Sequence, residues 1–274
     1  MSAIVAIQGI KGSFHHQVAR EYFGTQDRIL ECSSFPELAR SLSEGKADKA
    51  VMAIENSTAG SILPNYALLD RYKLRVSGEH YLPIRMNLMV LPGQKMEDLQ
   101  EVASHPMALL QCRDFFDQQR HLRLIEDTDT AAVAQRIAEN KLKNLGAVAG
   151  EVAAEMYGLE ILAADIHSIK SNTTRFLILE REEKEKLNGD DKISLKLELP
   201  HKPGSLSKVL ALIDSRGLNL TKIQSLPIPN VPWKYAFFLD ITFNGLPQLN
   251  GLLETLEGYA EELKVLGTYK NRMQ

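Results

Sequence analysis

Residues 171–180, SNTTRFLILE, set Thr173, Thr174 and Arg175 at the entry to the apolar run Phe176-Leu177-Ile178-Leu179. Four apolar residues in a row, preceded by turn formers and ended by a charged stretch from Glu180, predict a buried strand with a polar beginning. Ser, Asn and Thr favour turns and strands in any protein, so the hydroxyls alone say little about chemistry. The significance of this strand comes from what precedes it.

Upstream, short apolar runs alternate with helical patterns. IVAIQ (4–8) leads to a helix over roughly 13–23, RILEC (28–32) to a helix near Phe35-Pro36, AVMAIENS (50–57) to TAGSILPNYALLD, and KNLGAVAG (143–150) to EVAAEMYGL. Such alternation predicts an α/β fold with much of its sheet parallel. LRVSGEHYLPIRMNLMVLPG (74–93) instead holds two strands with little room for a helix between them. Consecutive strands of that kind suit a crossover from one lobe to another. A chain that crosses, builds a second α/β lobe and returns along TTRFLIL has two lobes around a cleft, with 171–176 at the hinge.

REEKEKLNGDDK (181–192) is mostly charged and contains Asn-Gly, which predicts a linker; the alternative is a polar hairpin. Beyond it the pattern changes. KISLKLELP is an alternating strand, and PGSLSKVLALIDSRG an amphipathic helix with Pro203 near its start and Gly217 past its end. LNLTKIQSL and WKYAFFLDITF are strands, LPQLNGLLETLEGY a helix and AEELKVLGTY a final strand. The order β-α-β-β-α-β is that of a ferredoxin-like unit.

Composition narrows the function. The 274 residues are 44% hydrophobic and 24% charged, as in a soluble globular protein. A net charge of −3 without a Lys/Arg cluster argues against nucleic acid. No apolar stretch approaches the ~20 residues of a membrane span. MSAIVAIQGIKG lacks a basic leader and reads as a first strand. Cys32 and Cys112 form no CxxC and are expected as free thiols in a reducing cytoplasm. The histidines form no HExxH or Cys/His cluster, so no metal is expected. There is no GxxxxGK[ST], GxGxxG or GxSxG, so no nucleotide cofactor or hydrolase elbow is expected either.

Several strand-to-helix junctions carry small and hydroxyl residues: Gly12 and Ser13 in GIKGSF, Asn56, Ser57, Thr58 and Gly60 in ENSTAGS, Ser104 and His105 in SHPMALLQC, then DTDTAA (127–132) and AGEVAA (149–154). Free N–H groups and the positive dipole end at helix starts bind anions. Each residue is also an ordinary helix cap, stabilising by ~1 kcal/mol. Taken together, and facing one cleft, they suit a small polyanionic ligand.

Those pieces, with GIKGSFHHQVA, AIENSTAGSI, SHPMALLQC, AVAGEVAAEMYGLEIL and IKSNTTRFLIL in order, resemble the prephenate dehydratase family; HKPGSLSKVL, LNLTKI and WKYAFFLDI resemble its ACT regulatory domain. The resemblance implies a two-lobed, periplasmic-binding-protein-like catalytic domain over 1–181 (lobe 1 about 1–80 and 172–181, lobe 2 about 81–171). An ACT domain over 192–274 would follow. It implies prephenate as substrate, converted to phenylpyruvate with loss of CO2 and water, and L-phenylalanine as effector. Thr174, before Arg-Phe, matches the family's catalytic threonine. Glu55, if buried and protonated, is the chemical rival; its other role is to fix the turn at Asn56. Gln111 is a candidate for substrate orientation, and Ser13, Asn56, Ser57, Thr173, Arg175 and Phe176 for substrate binding. On a regular strand Thr174 and Arg175 face opposite sides, so Arg175 contacts either the substrate or a neighbouring carboxylate. Phe176 lines the cleft or belongs to the core.

In the second domain the resemblance assigns His201, Pro203, Gly204, Ser205, Leu206, Asn219, Leu220 and Gln224 to a phenylalanine pocket. Gln224 and Leu226 stand where the family has an acid and an arginine, and His15 and Met107 also depart from its pattern. A homo-oligomer, dimer or tetramer, through the ACT domains is expected. The competing functions are an arogenate dehydratase and a non-catalytic intracellular amino-acid sensor.

Overall fold

The computed structural model describes residues 3–181, 189–229 and 231–273. Residues 182–188, and with them most of the expected linker, lie outside that range. The chain divides into two compact units, Met1–Gly60 with Tyr81–Phe176, and Ser61–His80 with Leu177–Gln274.

The first part is α/β. β1 (Ile4–Gln8), α1 (Phe14–Phe23), β2 (Arg28–Cys32), α2 (Phe35–Ser43) and β3 (Lys49–Asn56) alternate as the apolar pattern predicts. Ser13 and Ser34 cap the two helices by accepting from His16 N and Glu37 N. A two-residue strand, β4 (Gly60–Ser61), pairs with β3 before α3 (Leu63–Arg71) and β5 (Arg75–Pro83). The sheet order is β2-β1-β3-β11-β5, where β11 is Thr173–Glu180, and β1 is parallel to both β2 and β3.

Between β5 and β11 the chain builds a second sheet. Its elements are β6 (Asn87–Val90), β7 (Glu101–Ser104), α4 (Pro106–Gln111), α5 (Arg113–Phe116), β8 (Arg123–Glu126), α6 (Thr130–Asn140), β9 (Leu145–Ala149), α7 (Glu151–Tyr157) and β10 (Glu160–Ala163). The order is β10-β6-β9-β7-β8, with β7 parallel to β8 and β9 and β6 antiparallel to its neighbours. The outward strand β5 and the return strand β11 belong to the first sheet, which is the double crossing inferred from residues 74–93 and 171–180. Where the crossings begin and end, Ile84 N donates to Asn172 O at 2.8 Å. β7, β8 and β10 escape the sequence reading because each is four residues long and carries a charged residue.

The last part comprises β12 (Lys192–Glu198), α8 (Ser205–Ser215), β13 (Asn219–Pro227), β14 (Tyr235–Thr242), α9 (Leu246–Glu257) and β15 (Glu262–Tyr269). The order β13-β14-β12-β15 is the ferredoxin-like arrangement. Ile193, Leu195 and Leu197 of β12 pack with Val209 and Ile213 of α8 and Leu249, Leu252 and Leu256 of α9. The alternate residues, Lys192, Ser194 and Lys196, are buried as well. Segment 61–80 supplies partners for both lysines. Lys192 Nζ lies 3.0 and 2.9 Å from the Glu79 carboxylate oxygens, and Lys196 Nζ 2.8 Å from Asp70 Oδ2. Asp70 also accepts from Lys264 at 2.8 Å. No helix among the described residues is long and apolar enough to cross a membrane.

Candidate active site

The site forms in the first unit, at the end of the first sheet where β3 stops and the neighbouring β11 begins. Ser57 N donates to Thr173 O at 2.8 Å, and Thr173 N donates to Ser57 Oγ at 2.9 Å. This two-way lock fixes the register, so Asn56 lies beside Thr174. Asn56 Nδ2 donates to Thr174 Oγ1 at 2.9 Å and to Asn172 Oδ1 at 2.6 Å. Asn56 Oδ1 accepts from Thr58 N at 3.0 Å and Ala59 N at 2.8 Å. Asn172 Nδ2 donates to Gln111 Oε1 at 3.1 Å, tying in α4 of the second sheet. Four polar side chains from three separate segments, around residues 56, 111 and 172–174, thus form one chain of hydrogen bonds.

Thr174 is 8% exposed and accepts one proton from Asn56. Among the described residues its own hydroxyl proton has no acceptor, so it is available to a ligand. Gln111 is half-buried, and Ser57 is exposed. Glu55 is half-buried at the end of β3, not buried as an acid role would need. In the turn that follows, the Asn56 side-chain oxygen holds the Thr58 and Ala59 N–H groups.

Arg175 is buried with its guanidinium 6.0 Å from the Tyr81 ring centre, on a cation–π contact. Phe176 is 1% exposed, and its ring meets His15 in a T-shaped contact at 5.0 Å. With no surface to offer a ligand, Phe176 is a core residue beneath the site rather than part of its lining. His15 Nε2 accepts from Ala53 N at 3.3 Å, and burial lowers its pKa to about 3, so the ring is neutral. His16 Nδ1 accepts from Gly12 N at 3.0 Å, and its pKa is also lowered, chiefly by burial. Both histidines are therefore backbone acceptors, which suits no metal; among the described residues no three His, Cys, Asp or Glu gather into a metal site. Cys32 and Cys112 are free and buried, and burial pushes the Cys112 thiol up to about 12.

The helix starts expected to bind anions are largely occupied by their own caps. Ser13 Oγ takes His16 N at 3.3 Å, His105 Nδ1 takes Met107 N at 3.2 Å, and Asp129 Oδ1 takes Ala131 N and Ala132 N at 2.8 and 3.0 Å. Ser104 is fully buried and donates to Val148 O at 2.6 Å. Of these starts, those of α3, at Ile62, and α7, at Gly150, have no side-chain cap.

Asn172 is the residue sequence reasoning passed over. In SNTTR it looks like a turn former, and nothing in its neighbours signals a contact with Gln111, 61 positions away.

In the second unit, Gly204 adopts φ +83° and caps α8 without a side-chain bond. His201 and Pro203 are exposed, Ser205 is buried, and Leu206 is half-buried. On β13, Asn219 is exposed, while Leu220 and Gln224 are half-buried. Gln224 Nε2 donates to Ser225 O at 2.9 Å.

Comparisons with known proteins agree with this picture. The prephenate dehydratase family profile matches residues 5–184. The chain is 37% identical to arogenate dehydratase 2 of Petunia hybrida, over 97% of this chain and 71% of that protein. Among solved structures, a chain described as GqqA, a novel type of quorum-quenching acylase, superposes with TM-score 0.88 at 29% identity, covering 97% of both chains. Prephenate dehydratase of Arthrobacter aurescens, solved in complex with L-Phe, superposes with TM-score 0.86 at 26% identity, over 98% of this chain and 90% of that one. Thr174, Asn56, Asn172 and Gln111 all lie inside the matched segment, and the chain belongs to the prephenate dehydratase family.

Proposed function

We propose that the site around Thr174 carries out the decarboxylating dehydration of prephenate to phenylpyruvate. The ring's carboxylate leaves as CO2, its bonding pair enters the ring, and the hydroxyl opposite leaves with a proton as water. The ring becomes aromatic, so the equilibrium favours product, and the difficulty is the departure of hydroxide. Thr174 lends its hydroxyl hydrogen to that oxygen as charge develops, and solvent supplies the proton that the reaction consumes, so the threonine hydroxyl is restored. The observation that carries this reading is the 2.9 Å bond from Asn56 Nδ2 to Thr174 Oγ1, which leaves the threonine proton pointing away from Asn56. A donor already accepting a hydrogen bond is polarised and donates more strongly. Gln111 and Ser57 orient the substrate, and Thr173 N holds Ser57 Oγ in place.

The test is turnover of prephenate to phenylpyruvate by the purified protein and by Thr174→Ala. Loss of one such donor is worth about 10²–10³-fold in kcat, with KM little changed. Wild-type turnover by the variant would remove Thr174 from the chemistry and return Glu55 to it. Arogenate differs from prephenate by an amine in place of the side-chain ketone, and the resemblance to a plant arogenate dehydratase makes it the second substrate to assay.

We further propose a catalytic domain over 1–181 and an ACT domain over 192–274, in a cytoplasmic homo-oligomer. L-Phenylalanine is its effector, held by residues 201–206 with Asn219, Leu220 and Gln224. Support comes from the βαββαβ order, the left-handed Gly204 at the start of α8, and the L-Phe complex of the Arthrobacter relative. Unchanged rate and unchanged sedimentation at millimolar L-phenylalanine would remove the effector role.

A further inference from the structure

We infer that Asn172 is a positioning residue that passes the hydrogen-bond direction from Asn56 to Gln111, so that Gln111 turns its amide protons, not its carbonyl oxygen, toward the substrate. This rests on the reading of Thr174 as the proton donor and deepens it.

The direction originates in the main chain. Thr58 N and Ala59 N can only donate, and both meet the same atom of Asn56, which must therefore be its oxygen. Asn56 Nδ2 then has two protons facing Thr174 and Asn172, and both neighbours must accept. Asn172, 2% exposed, is left with its oxygen on Asn56 and its nitrogen on Gln111. Gln111 in turn must accept, so its nitrogen faces the other way. Among the described residues that nitrogen has no acceptor. Two N–H donors at one end and one O–H donor at the other make a site that gives protons at both ends, fitted to a carboxylate and to a departing hydroxyl. A flip of any one amide would set like atoms against each other and break the sequence. Because Gln111 comes from α4 and Thr174 from β11, Asn172 is also the only side chain among the described residues bonded to both Asn56 and Gln111.

The experiment is a cycle of Asn172→Asp alone and in a Gln111→Ala background, with Thr174→Val measured separately. The introduced carboxylate still accepts from Asn56 but, ionised, cannot donate to Gln111; Gln111 then rotates to donate to it and turns its oxygen outward. The expected result is a rise in KM for prephenate of about tenfold or more, with a fall in kcat toward the roughly 10²-fold that misplacement costs. In the Gln111→Ala background Asn172→Asp should leave KM where it was. Where turnover is too slow, the same comparison is read from protection against thermal unfolding by prephenate. Unchanged KM in Asn172→Asp, or an equal rise in both backgrounds, would overturn the inference. If Asn172→Asp lacks the native near-ultraviolet dichroism, the neutral Asn172→Ala enters the same cycle with the same criteria. Thr174→Val separates the two levels: turnover surviving there defeats the donor reading itself, whereas a dead Thr174→Val with an indifferent Asn172 defeats only the positioning role.

Discussion

Thr174 shows how little acidity a side chain needs when geometry does the rest. A free threonine hydroxyl is a poor acid, but here it accepts from Asn56 while its proton stays uncommitted. Thr174→Ser keeps that hydroxyl and should retain more activity than Thr174→Ala, by about tenfold or more in kcat; equal losses would point to the methyl group and packing instead. His15 gives a second prediction at this scale. Its pKa is lowered to about 3 by burial, against about 6.5 in an unfolded chain. The neutral ring is the folded form, so its contribution to stability is complete above about pH 6.5 and is lost as pH falls toward 3. By about pH 4.5 the loss amounts to roughly 3 kcal/mol, because each pH unit is worth about 1.4 kcal/mol. His15→Gln can still accept from Ala53 N but does not titrate. Its urea midpoint should depend less on pH across that window; an unchanged slope would assign the acid sensitivity elsewhere.

At the scale of elements, the turn from β1 into α1 depends on Gly12. It has φ +92°, and a Cβ there would stand 3.0 Å from Tyr157 Cε2 and 3.3 Å from Ala153 Cα of α7. Tyr157 Oη also donates to Lys11 O at 2.5 Å. Gly12→Ala should therefore strain the backbone by about 1–2 kcal/mol and push α7 away, lowering the melting temperature by several degrees. A wild-type melting temperature would show that α7 yields freely. These elements also mark what a sequence can reveal. β1, β3 and β9 are apolar runs and were legible; β8, RLIE, is half-exposed and charged at both ends, so periodicity has nothing to read. Asn56, Gln111 and Thr174 were legible as single motifs. Their connection was not, because hydrogen bonds across 118 positions follow from pairing of β3 with β11, and spacing carries no trace of that. The helix starts are ambiguous for a physical reason: a capping side chain that marks free N–H groups itself takes one or two of them.

At the scale of the molecule, ion pairs enter the interior of the second unit. The second unit buries Lys192 against Glu79 with side chains 1% and 0% exposed. Arg272 N adds a further bond to Glu79 at 3.0 Å. Lys192→Met leaves a carboxylate in a dry place and should cost about 3–5 kcal/mol, whereas pairing it with Glu79→Leu should recover much of that. Urea unfolding of the two variants decides it; a single variant as stable as the wild type would mean that water reaches Glu79. Lys196 shares in the same pattern. Burial opposes its charge, but hydrogen bonds to the Asp70, Glu198 and Glu262 carboxylates outweigh that and raise its pKa, so the ammonium persists at every working pH. Because these pairs join segment 61–80 to the βαββαβ layer, deleting residues 192–274 should leave a soluble catalytic fragment only if Asp70 and Glu79 are neutralised too.

The two backbone N–H groups after Asn56 have a consequence for inheritance. A chance codon change can reach any side chain in the site, but the groups that orient Asn56 belong to the peptide itself and survive almost every replacement. Proline is the exception, since it alone lacks that hydrogen. Thr58 and Ala59, both exposed, are thus free to drift among all residues but that one.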